Sequence, residues 1–314
     1  MLEALIGSSP KRAPRTLRDL FSTLKEHSQR ITVSRNILIA PKIKGKTILY
    51  DVIDRKVSLQ ILKVDRYTGI SALESGLFSE QITAYFSPEA ALLALLGAAH
   101  AFCAAVRLRD KTYYYLVTFA PDQMSEIVAA TKEGVSIERY LILRDLVKEI
   151  VRSVVRKYPS NELLITELLL SLDIADTLTK NALSKVDLLV IKLANEGNTY
   201  KVYEQIPATV VQDPPFFRMS SIRDPNRLRR QLWRIVDPDK SLLIKAVASI
   251  GKRDQRPEAI NALRALNFLY RFVVLGDSMG LREFARELVA CYEICQASNR
   301  RGCKEYLNYL GSIK

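Results

Sequence analysis

Residues 187–217, DLLVIKLANEGNTYKVYEQIPATVVQDPPFF, decide the fold class. Two β-rich runs, DLLVIKLA (187–194) and TYKVYEQI (199–206), flank the turn residues Asn195-Glu196-Gly197-Asn198. So short a link predicts an antiparallel hairpin, because a parallel pair needs a crossover of about a dozen residues or more. Asp213-Pro214-Pro215-Phe216-Phe217 then breaks the pattern, since proline neither donates to a ladder nor continues one. Beyond the break the spacing is helical throughout, over about 225–236, 239–250, 257–275, 279–297 and 299–310, with Pro225, Pro238 and Pro257 at helix starts. Upstream lie a long amphipathic helix from Ser136 to Tyr158, stopped by Pro159, and a second over about 161–172. The run TYYYLVTF (112–119) reads as a strand after the basic turn Arg107–Lys111, and Tyr113–Tyr115 in it are expected to pack a sheet. At the far end, Leu17, Leu20, Phe21 and Leu24 give helical spacing over 16–29, followed by the short β-rich runs ITVS, NILIA, KTILYDVID and VSLQILKV. The whole predicts an α+β protein: a mixed α/β body with antiparallel strands over 1–217 and a small, basic, all-helical domain over 218–314.

Ser87-Pro88-Glu89 marks a helix start as cap, first-turn proline and first-turn acid. The apolar run that follows, Ala90 to Val106, falls short of the roughly 20 residues that span a bilayer. It is expected to be a helix buried on all sides in a soluble core. The first residues, MLEALIGSSPKRAPR, lack the apolar segment of a signal peptide. A cytoplasmic protein without membrane partners is the expectation. Cys103, Cys291, Cys295 and Cys303 are too few for a disulfide framework in 314 residues and are expected as small core residues. His27 and His100 lie far in sequence from the group Cys291, Cys295 and Cys303, so no metal and no cofactor are inferred.

The net charge of +13 is unevenly placed. Residues 36–217 hold 21 bases and 21 acids, while residues 1–35, 218–234 and 240–314 carry net charges of +4, +5 and +6. A balanced middle with basic ends is the pattern of a scaffold whose ends face a polyanion.

The densest signal is Arg218–Arg234, RMSSIRDPNRLRRQLWR. Asp224 caps a helix that Pro225 opens, and Arg227, Arg230 and Arg234 then share one face, led in by Arg223. Leu228, Leu232, Ile235 and Val236 form the opposite face, and Trp233, the sole tryptophan, stands beside the arginines as a candidate for stacking on a base. Guanidinium groups in a row suit phosphates, and like charges at this spacing destabilise a helix that has no anion to relieve them. Lys11, Arg12, Arg15 and Arg18 form a weaker basic arm at the N-terminus. A third candidate is the tip of a hairpin carrying Lys42, Lys44 and Lys46 on one side. That same segment, Ala40-Pro-Lys-Ile-Lys-Gly-Lys-Thr47, satisfies a relaxed phosphate-loop pattern, which raises a nucleotide hydrolase as an alternative. Pro41 removes an N–H from the cradle, and TILYDVID continues as a strand where such a loop requires a helix. With two histidines there is no His-Glu-x-x-His zinc-protease motif and no Cys–His pair at usable spacing, and no Gly-x-Ser-x-Gly elbow occurs, so no catalytic residue is assigned.

The stretch SPEAALLALLGAAHAFCAAVRLRDKTYYYLVTFAPDQM (87–124) resembles the body of the large subunit of archaeal type I-A CRISPR effector (Cascade) complexes, and the C-terminal helices fit that family's small helical bundle. The resemblance implies a non-enzymatic, cytoplasmic subunit of an antiviral defence complex. Such a subunit helps recognise and hold target double-stranded DNA while a crRNA reads the sequence. Its implied partners are crRNA-bearing backbone subunits, a small subunit and a helicase-nuclease. A stand-alone archaeal or viral DNA- or RNA-binding regulator is the other alternative. Abundant Arg and Ile beside sparse Gly and Pro suit a heat-adapted archaeon.

Overall fold

The computed structural model describes residues 17–27, 29, 38–43, 46–47, 57–58, 83–108, 111–196 and 199–313. Among them the fold is mixed α/β with antiparallel sheets and a helical C-terminal region, as the hairpin and its break predict. Two compact units emerge, one holding residues 1–102, 107–114 and 192–204, the other 103–106, 115–191 and 205–314. Helices on both sides of the break at 213–217 thus belong to one unit.

In the first unit, helix α1 (Leu17–Glu26) precedes strands β1 (Ile39–Ile43), β2 (Lys46–Thr47), β3 (Val57–Ser58) and β4 (Thr83–Phe86), which form an antiparallel sheet in the order β2-β1-β4-β3. Lys46–Thr47, where a phosphate loop would turn into a helix, pair instead as a strand with Lys42–Ile43. Lys42 opposes Thr47 and Ile43 opposes Lys46 across the β1–β2 pair. Lys44 lies outside the described residues. Of the basic arm, Arg18 falls within α1, and Lys11, Arg12 and Arg15 lie outside the described residues.

Helix α2 (Pro88–Ala101) opens as expected: Ser87 Oγ accepts from Ala90 N at 3.2 Å and Pro88 takes the first turn. The rest of the apolar run does not behave as expected. The helix stops at Ala101, and Phe102–Leu108 is strand β5, with Cys103, Ala104 and Val106 buried. Leu93, Leu96 and Phe102 are exposed, so the run is not a helix buried on all sides. A run without polar punctuation carries no period that separates helix from strand. No described helix is long and apolar enough to cross a membrane.

Strands β5, β6 (Lys111–Phe119), β7 (Lys185–Glu196) and β8 (Thr199–Val211) form a second four-stranded sheet in chain order. The ends of the strands fix their directions. Ala120 N, after β6, donates to Asp187 O near the start of β7, and Gln212 N, after β8, donates to Ser184 O before β7, so β7 is antiparallel to both neighbours. Tyr115 is buried within this sheet. Tyr113 meets Tyr203 edge to face at 5.4 Å between centroids.

Between β6 and β7 run α3 (Pro121–Lys132), α4 (Glu138–Lys157), α5 (Asn161–Leu170) and α6 (Leu172–Lys180). The spacing did not predict α3, which buries only Gln123 and Ile127. The helix expected over about 161–172 is α5, and α6, which the spacing did not predict, follows it after Ser171, whose hydroxyl caps α6 by accepting from Ile174 N at 3.3 Å. After a 3₁₀ turn (Pro215–Arg218) come α7 (Pro225–Val236), α8 (Leu242–Val247), α9 (Ala259–Leu275), α10 (Ser278–Ala297) and α11 (Lys304–Ile313). Pro225 opens α7, whereas Pro238 and Pro257 sit in the turns that precede α8 and α9. Cys103 and Cys291 are buried thiols, but Cys295 and Cys303 form a disulfide. That corrects the reading of all four as core thiols. Eight residues separate the pair, and a helix end with a turn folds the second cysteine back onto the first.

Candidate nucleic-acid interface

Helix α7 is positioned by its own sequence. Asp224 Oδ1 accepts from Arg227 N at 2.8 Å, capping the first turn, while Leu228, Leu232, Ile235 and Val236 face the core. The opposite face then presents Arg227, Arg230 and Arg234, all exposed, with exposed Arg223 just before the cap. Among the described residues none of the four makes an ion pair.

Helix α4 provides an internal contrast. It also bears basic residues at intervals of four, but Arg144 and Lys148 pair with Asp145 at 2.9 and 3.9 Å, and Arg152 pairs with Glu149 at 2.6 Å. The chain thus pairs one basic row with acids of its own helix, whereas the α7 row makes no ion pair among the described residues. Three guanidinium groups at spacings of three and four repel one another, a cost an incoming anion removes.

The fourth arginine of the helix does something else. Arg229 is only 2% exposed and donates to four carbonyl oxygens: Leu169 at 2.7 Å, Gln212 at 2.8 Å, Ser171 at 3.2 Å and Leu170 at 3.4 Å. Three of these lie at the C-terminal end of α5, whose last carbonyls have no intrahelical donors and carry the negative end of the helix dipole. Burial lowers the Arg229 pKa to about 10, against the raising influence of Asp213 and Asp176, so the group stays charged at neutral pH. Its planar fork satisfies several acceptors at once, as a lysine could not.

Trp233 lies beneath the stripe rather than in it. Its indole is half-buried, and Nε1 donates to Glu167 Oε1 at 2.9 Å. Glu167 is itself buried, and its second oxygen, Oε2, has no hydrogen-bond partner among the described residues. Burial pushes the Glu167 pKa up to about 8, Asp237 adds to the rise, and the Trp233 hydrogen bond opposes it. Arg229 and Trp233 therefore dock α7 on α5 and leave the arginine face outward. The sequence grouped Arg227, Arg230 and Arg234 correctly because helical spacing alone sets their direction. It gave no sign that Arg229 turns inward beyond its place beside Leu228, on the apolar side of the helical wheel.

The chain is 35% identical over 314 residues to an uncharacterized protein of the archaeon Archaeoglobus fulgidus, a match covering 98% of this chain and 79% of that one. No protein-family model matches the chain. No solved structure does either.

Proposed function

This chain belongs to one family with the Archaeoglobus fulgidus protein, and we propose that it is a non-catalytic nucleic-acid-binding subunit of a CRISPR RNA-guided antiviral complex, helping to recognise and hold target double-stranded DNA. The observation that carries the reading is the arginine face of α7, which has no acid on it while a second basic row of the same chain has its acids in place. Guanidinium groups in a row grip successive phosphates and read no bases, which suits a subunit whose sequence specificity comes from guide pairing. The resemblance of residues 87–124 to the large subunit of type I-A effector complexes supplies the assembly. Its partners are then crRNA, the backbone subunits, a small subunit and a helicase-nuclease. The archaeal relative is consistent with that setting. A cytoplasmic location is compatible with the Cys295–Cys303 disulfide, because intracellular proteins of heat-adapted archaea retain such bonds.

The test is duplex DNA binding across a salt series by the wild type and by the variant Arg227→Ala/Arg230→Ala/Arg234→Ala. Each phosphate contact contributes about 0.9 to the slope of log K against log salt, so the variant is expected to be shallower by roughly 2 to 3. Identical slopes would make the stripe structural and remove the observation on which the proposal stands.

A further inference from the structure

Outside α7, two loops of the helical region are basic and ordered by their own bonds. The first, Gly251–Arg256, reads GKRDQR. Gly251 adopts φ +75° and donates to Gln255 Oε1 at 2.8 Å, Gln255 N donates to Lys252 O at 3.2 Å, and Arg256 N donates to Ser249 Oγ at 2.9 Å. The second, Ser298–Cys303, reads SNRRGC and is closed by the Cys295–Cys303 disulfide. Asn299 and Gly302 turn it with φ of +52° and +86°, and Asn299 N donates to Gln296 O at 2.9 Å.

A buried carboxylate brings the two loops to one end of the bundle. Glu258, fully buried, accepts at Oε1 from Arg256 Nη1 and from Tyr306 OH, both at 3.3 Å. Arg256 ends the first loop, and Tyr306 stands three residues past the second cysteine. The Cys291 thiol, four residues before the first cysteine, faces Glu258 O at 3.9 Å. Above this junction Lys252, Arg253, Arg300, Arg301 and Lys304 are exposed, and among the described residues none of the five makes an ion pair. The acids in these segments are Asp254 and Glu305, and Glu305 already accepts from Tyr309 OH. Neither loop carries an exposed large apolar side chain. A protein partner generally needs an apolar or aromatic anchor at the centre of its contact, whereas a phosphate chain needs only cations and backbone held in place.

We infer that the two loops form a second phosphate-binding surface for nucleic acid, separate from α7, with its Ser298–Cys303 half held in shape by the disulfide. The inference rests on the nucleic-acid reading for the class of its ligand, and not on the arginine helix. It is tested on the full chain with a 30-base-pair duplex across a salt series, using Lys252→Ala/Arg253→Ala, Arg300→Ala/Arg301→Ala and the α7 triple variant. Circular dichroism establishes that each variant is folded. Each loop pair is expected to make the slope shallower by roughly 1 to 2. Reducing the wild type with dithiothreitol opens Cys295–Cys303 to two thiols and is expected to weaken binding about tenfold, comparable to the entropy of re-ordering one backbone residue. Loop variants that bind as the wild type does, or an affinity unmoved by reduction, would overturn the inference. Weak loop variants beside an unaffected α7 variant would uphold it while the α7 reading fails.

Discussion

At the residue scale, Glu167 is the group whose chemistry depends most on its surroundings. The carboxyl is buried with one oxygen on the Trp233 indole and the other without a hydrogen-bond partner among the described residues, so its ionised form is the disfavoured one. Its pKa is raised from 4.5 to about 8, and the sign of the consequence follows. Between these values the folded chain keeps a proton that the unfolded chain has released, so stability is fully present below about pH 4.5, declines as pH rises toward 8 and levels off above it. Glu167→Gln keeps an acceptor for Trp233 and cannot ionise. The variant is therefore expected to lose less stability than the wild type between pH 5.5 and pH 8.5, read as the difference between their thermal midpoints at each pH. A midpoint difference that does not change with pH would show that Glu167 ionises freely in the folded protein. Arg229 follows the opposite logic: burial lowers its pKa to about 10, Asp213 and Asp176 oppose the fall, and carbonyl oxygens accept its N–H groups, so it remains charged.

At the scale of elements, α9 and α10 approach closely at Gly280, and the glycine allows it. A β-carbon there would stand 2.7 Å from Phe268 O and 2.9 Å from Phe272 N, backbone atoms of a helix that cannot step aside cheaply. Alanine is the better helix former by about 1 kcal/mol, yet overpacking of this kind costs roughly 1–3 kcal/mol. Gly280→Ala is thus expected to lower the urea midpoint without changing the slope of the transition; a stabilised variant would mean that the two helices stand further apart. Contacts of this kind mark the limit of what the sequence reveals. The hairpin at 185–211 and the helix at 225–236 were legible because turn residues and apolar spacing are local properties. Helix α3 was not, since it buries only Gln123 and Ile127 and so shows no stripe. The end of α2 at Ala101 was hidden in an apolar run, and the start of α6 was hidden because a serine in a leucine-rich segment declares itself a cap only once its hydroxyl is seen on Ile174 N. The arginine face was readable for the same local reason as its helix. The second basic surface was not, because its two loops lie about 45 residues apart in sequence and meet only through Glu258 and Tyr306.

For the whole molecule, the question is how the separated basic surfaces act on one polyanion. Residues 36–217 are electrostatically neutral as a set, so the attraction of the described chain for phosphate arises mainly after residue 217. There the α7 face and the two loops are built on different elements and share no ion-pair or hydrogen-bond partner among the described residues. Sites without shared partners contribute additively to within a few tenths of a kcal/mol. Combining the α7 triple variant with Arg300→Ala/Arg301→Ala is therefore expected to reduce the salt slope on a 30-base-pair duplex by the sum of the separate reductions, about 3 to 5 in all if every cation meets a phosphate. A combined variant far weaker than that sum, beside parents that each bind nearly as the wild type does, would mean that one duplex occupies one surface at a time, because each parent keeps the other surface. The two surfaces would then be alternative docking places and not parts of a single track.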